Sequence, residues 1–96
     1  MINQAAIKWQ DRVYTVPRPG RHDTVFAFMA RENPDHSGPF IGDEQGFITD
    51  RGAFVNRETA AAIALRSDQI INPHTRKILD PQELNWPPNL YSEDLW

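Results

Sequence analysis

The sequence predicts an α+β domain: a mainly antiparallel sheet with two helices, in the order β-β-α-β-β-α-β. Three observations predict it. Two β-prone runs flank Asp11 near the start of the chain. Two stretches, around residues 22–32 and 57–67, carry apolar residues at helical spacing. The strands are joined by short turns, and the regular β-α alternation of a doubly wound parallel sheet is absent.

Each element has a local cause. Ala5–Gln10 and Arg12–Val16 read as strands, with Ile7, Trp9, Val13 and Thr15 at period-two apolar positions. Pro17-Arg18-Pro19-Gly20 ends the second, because Pro cannot donate to a ladder and Gly permits a tight turn. His22 to Glu32 follows as a helix, with Val25, Phe26, Met29 and Ala30 on one apolar face. Asp23 or His22 caps its start, and Asn33-Pro34 ends it, since the residue before Pro avoids the α region. Pro34 to Glu44 is a loop of more than average length. Beyond it, two short β-prone runs flank Asp50-Arg51-Gly52, with Gly placed where a positive φ is needed. Asn56 stands as N-cap before an Ala-rich helix, Arg57 to about Ser67, whose buried stripe is Ala60, Ile63 and Ala64. Gln69-Ile70-Ile71 reads as the last strand. The tail, Leu90 to Trp96, carries large apolar residues around the acidic pair Glu93-Asp94.

With 96 residues, one domain over 1–96 is expected, and its core is thin enough for oligomerisation to add useful buried area. There is no Cys, which excludes disulfide scaffolds, thiolate zinc sites and cysteine nucleophiles. The longest apolar runs, Val25–Ala30 and Ala60–Leu65, are too short to span a bilayer, and Met1-Ile2-Asn3-Gln4 has no secretory character. The expectation is a soluble protein of the cytoplasm that engages no membrane. A net charge of −3 and a sequence pI of about 5.5 argue against binding duplex DNA. That sum hides a split. Asp80 to Trp96 holds four acids and no base, and the remainder has ten basic residues against nine acids. Eight of the ten basic residues are Arg, whose planar fork suits carboxylate and phosphate. Surface ion pairs are the plain alternative.

Catalysis finds little support. His22, His36 and His74 have no zinc-motif spacing, and Asp35-His36-Ser37 are sequence neighbours that point in different directions. Gly42, Gly46 and Gly52 fit no phosphate-cradle spacing. Binding is better supported. Arg18, Arg21 and His22 gather in a turn ahead of a helix N-terminus, where free N–H groups favour an anion; pairing with the abundant acids is the other outcome. Phe47 offers an aromatic face to a base or packs in the core. Asn56 reads a ligand edge or simply caps its helix. Arg57 opposes the helix dipole, which favours a partner anion. A tail ending in Leu95-Trp96 is expected to pack on its own sheet or on a second subunit, with Glu93 and Asp94 as acceptors near Arg residues.

Ala5-Ala6-Ile7-Lys8, Gly46-Phe47-Ile48-Thr49 with Phe54-Val55-Asn56-Arg57-Glu58, and Ser92-Glu93-Asp94-Leu95-Trp96 together resemble the phage Thoeris anti-defence proteins of the first type. The resemblance implies a non-enzymatic sponge in the host bacterial cytoplasm. Such a protein sequesters a cyclic ADP-ribose isomer without cleaving it, and needs no cofactor or metal. It also implies a homo-oligomer, dimer or hexamer, with pockets at subunit contacts, and in some members a second site for cyclic oligonucleotides. By motif, Phe47 matches the base-stacking aromatic, Asn56 a polar ligand contact and Asp94 the acid near the C-terminus. Arg21, His22 and Arg57 are the expected phosphate contacts. A basic residue expected before the terminal motif is replaced by Trp86-Pro87-Pro88-Asn89, so Arg76 or Lys77 substitutes or the ligand differs. The competing expectation is a small phage protein that inhibits a host protein by direct binding, its acidic tail and loop covering a basic surface.

Overall fold

The structure is a computed structural model that describes residues 1–71 and 92–96. Its strands are β1 (Ile2–Trp9), β2 (Arg12–Thr15), β3 (Glu44–Thr49) and β4 (Phe54–Asn56), and its helices α1 (His22–Glu32) and α2 (Arg57–Arg66). A 3-10 turn, Ser92–Asp94, lies near the end. The four strands form one antiparallel sheet in the order β2-β1-β3-β4. The α+β class and the antiparallel sheet are as the sequence predicts.

Alternation along β1 buries Ala5, Ile7 and Trp9, and the register sets Tyr14 opposite Ile7 and Phe47 opposite Ala5. These side chains therefore share one face of the sheet. Val25 and Met29 of α1 and Ala60, Ala61 and Ala64 of α2 complete a single buried cluster with them. Alanines suit α2 because a helix without bulky side chains can lie close to the strands it packs on. The β1–β2 connection is a two-residue turn, with Gln10 at φ 52° and Asp11 at φ 62°. Positive φ at both positions is the primed geometry that matches strand twist, here reached without glycine.

Two expectations at element ends are corrected. At the start of α1 neither His22 nor Asp23 is the cap residue: Arg21 holds that position, and its N–H donates to the Thr24 hydroxyl at 3.2 Å. Asp23 instead accepts from the Thr24 N–H at 2.8 Å. The strand expected at Gln69-Ile70-Ile71 is absent. Asp68 turns the chain at φ 54°, and the Gln69 N–H bonds back to Ala64 O at 2.9 Å, a helix-ending pattern. The Gln69 side chain then does what a strand would have done. Its Oε1 accepts from the Ile2 N–H at 2.7 Å and its Nε2 donates to Ile2 O at 2.8 Å. One amide side chain satisfies both main-chain groups of that residue, so no ladder is needed.

Candidate functional site

Arg21 and His22 stand at the start of α1, beside Phe47 of β3. His22, the first helical residue, is 7% exposed. Its Nε2 lies 2.7 Å from the Gly46 carbonyl of β3, and since a carbonyl only accepts, Nε2 carries the proton. The imidazole stands edge-on to Phe47, with ring centroids 5.0 Å apart. Arg21 donates through Nε and Nη2 to the main-chain oxygen of Trp96, at 3.1 and 2.6 Å. The Trp96 indole donates to Gly20 O at 3.0 Å, and the Arg18 guanidinium lies 5.6 Å from the Trp96 ring centroid. Ser92, Asp94 and Leu95 are buried, and Ile71 N–H donates to Asp94 O at 2.8 Å. Ser92–Trp96 is thus docked on its own chain.

Asn56 and Arg57 reach the same strand from the other side. Asn56 pairs with Gly46 in the sheet register, and its Oδ1 accepts from the Thr59 N–H at 2.8 Å, so it caps α2. Arg57 sends Nη2 to the Gln45 side-chain oxygen. That contact accounts for a cation at a helix start without an external anion.

Of the six expected residues, His22, Asn56 and Arg57 meet the Gln45–Phe47 stretch, to which Phe47 itself belongs, whereas Arg21 is spent on Trp96 O and Asp94 O accepts from Ile71. Stacking of a base on Phe47 is not accommodated within this chain, because its ring is fully buried. His74, Arg76 and Lys77, and the Glu93 side chain, lie outside the described residues. If the cap is the work of Asn56, Asn56→Ala should lower folding stability by about 1 kcal/mol while Asn56→Asp stays close to wild type. Urea melts of the two variants check this, and equal losses would argue against the cap.

A second arrangement escaped the sequence. The β3–β4 turn and the end of α2 border an open cleft of about 570 Å³, lined by Met1, Thr49, Asp50, Arg51, Ile63, Arg66 and Ser67. Thr49 shapes the turn: its Oγ1 accepts from the Arg51 and Ala53 N–H groups, both at 3.3 Å. Gly52 closes it at φ 81°, with its N–H on Thr49 O at 2.9 Å. Arg51 is carried at the tip. Among the described residues, the guanidiniums of Arg51 and Arg66 have no hydrogen bond or ion pair. Arg66 also suits the negative end of the α2 dipole. Asp50 Oδ1 lies 3.3 Å from the Met1 ammonium, which offsets its charge. No sequence motif joins Arg51 to Arg66; only the fold makes them neighbours.

A further cleft of about 420 Å³ beside Trp9 and Glu32–His36 carries Glu32, Asp35 and His36, and no Lys or Arg among the described residues. Among the described residues no group of three His, Asp or Glu is placed to hold a metal ion, and no helix is long and apolar enough to cross a membrane.

Among the described residues, fold and cleft define a small α+β protein with one sheet, two helices and an open arginine-lined cleft. Its sequence matches the family model of the phage T4 y16D protein over residues 1–96, and the chain belongs to that family. It is a phage protein by that membership. No curated protein and no solved structure matches it.

Proposed function

We propose that this phage protein binds and sequesters a small phosphorylated ligand without cleaving it, a cyclic nucleotide signal of the cyclic ADP-ribose-isomer kind. The observation that carries the reading is the pair of guanidiniums in one open cleft, free of protein partners among the described residues. Arg forks are matched to phosphate oxygens, and charge-assisted bonds of this kind are the strong ones. The resemblance to Thoeris anti-defence sponges supplies the ligand class and a role in immune evasion. It also favours a dimer or hexamer, in which a second copy would enclose a cleft that one chain leaves open.

Calorimetry with cyclic ADP-ribose isomers and with cyclic di- and trinucleotides tests the proposal. Micromolar or tighter binding is expected to one of them. Loss of two charge-assisted contacts in Arg51→Ala/Arg66→Ala should weaken it by about 100-fold or more. No heat with any of these ligands overturns the reading. Ligand recovered chemically changed after denaturing the protein would replace sequestration with catalysis.

A second reading, inhibition of a host protein by direct contact, has one observation in its favour. Ile41, near the end of the acidic Pro34–Asp43 loop, is 84% exposed, more than any other large apolar side chain among the described residues. It predicts a stable host complex in a pull-down that Ile41→Asp abolishes and Arg51→Ala/Arg66→Ala leaves intact.

A further inference from the structure

The other side chains in the arginine cleft narrow the ligand, in an argument that rests on the binding role just proposed. We infer that the cleft recognises a ribose-phosphate unit, with phosphate on Arg51 and Arg66 and sugar hydroxyls on Asp50. A site for bare phosphate has no use for a carboxylate, which repels the anion. Asp50 is nevertheless fixed beside Arg51 on the same short turn, its N–H bonded to Met1 O at 2.9 Å. Its Oδ1 faces the Met1 ammonium, and its Oδ2 has no hydrogen bond among the described residues.

An ionised carboxylate accepts and does not donate, so the ligand group that meets Oδ2 must bring O–H or N–H hydrogens. Vicinal ribose hydroxyls are such donors, and an acidic residue set on a ribose hydroxyl while positive groups hold the phosphates is a recurrent nucleotide-binding arrangement. Ile63 provides an apolar wall for the C–H face of the sugar ring. Among the described residues no aromatic side chain lines the cleft, and the groups that do line it suit the sugar-phosphate unit. A volume of about 570 Å³ lies in the range of small-molecule sites.

The test is calorimetry with inorganic phosphate, ribose 5-phosphate and ADP-ribose, on the wild type, Asp50→Ala and Arg51→Ala/Arg66→Ala. Asp50 is exposed, so its replacement leaves the fold in place. The wild type should bind ribose 5-phosphate about tenfold more tightly than inorganic phosphate. In Asp50→Ala that advantage should vanish, while affinity for inorganic phosphate stays equal or rises as a repelling charge is removed. Equal wild-type affinities for inorganic phosphate and ribose 5-phosphate, or equal losses of both in Asp50→Ala, overturn the sugar contact and leave anion binding standing. Binding of none of the three probes overturns both. ADP-ribose separates the sources of the unit: a further gain over ribose 5-phosphate assigns the site to a nucleotide, and equal affinity to a free sugar phosphate.

Discussion

Phe47→Ala is expected to lower folding stability by about 3–5 kcal/mol, the usual loss for removing a large aromatic from a core. The ring is fully buried and packs edge-on against His22, itself bonded to the Gly46 carbonyl. Emptying that space loosens the joint between α1 and the sheet as well as leaving a cavity. For a domain whose whole stability is typically about 5–15 kcal/mol, the urea midpoint should fall steeply. Phe47→Leu separates packing from ligand contact. It keeps most of the apolar volume but no ring face, so it should recover much of the stability and bind ligand like the wild type. Wild-type stability with lost binding in Phe47→Leu would return the ring to the ligand.

Gly46→Ala is the second large effect. A Cβ at this position runs into the Val55 carbonyl and comes within 2.7 Å of the Phe54 ring. Phe54 is a side chain and can swing aside. Val55 O belongs to the β3–β4 ladder and cannot move without opening the strands. Overpacking of this kind costs about 1–3 kcal/mol and at times more. Because Gly46 also presents the carbonyl that His22 meets, the strain should reach the α1 junction. Thermal melts of Gly46→Ala alone and with Phe54→Ala check the assignment. The double variant should recover only the part due to the ring. Full recovery would show that the backbone contact costs nothing.

Where a short stretch of sequence contained its own cause, the fold was legible. Helix α1 has the predicted bounds because Asn33-Pro34 closes it and the Pro17–Gly20 turn ends just before its start. The Asn56 cap and the Asp50-Arg51-Gly52 turn were readable for the same reason. Gln69-Ile70-Ile71 misled because two Ile residues have high β propensity, whereas the outcome turned on one Gln side chain reaching the backbone of Ile2. That contact spans most of the chain and leaves no local pattern. Among the expected site residues, Arg21, His22, Asn56 and Arg57 commit polar groups to the fold. Arg21 answers the main chain of Trp96, and Arg57 answers Gln45. Arg51 and Arg66 leave no local pattern because each looks like an ordinary exposed cation. One sits on a turn tip and the other on a last helical turn, so proximity is their only signal.

The placement of β1 has a consequence for how the protein is made. It is an inner strand, with β2 on one side and β3 on the other. The β1–β2 hairpin closes through two residues, a step that takes microseconds. Pairing with β3 instead joins Ile2 to Thr49, and the Trp96–Gly20 bond spans 76 positions. Loop-closure entropy is spent before such distant contacts return any energy. A nascent chain therefore carries an apolar strand with one open edge until α1, the long loop and β3 have left the ribosome. An edge of that kind is what neighbouring chains can pair with. The hazard of aggregation falls in the interval of synthesis and ends when β3 closes the sheet.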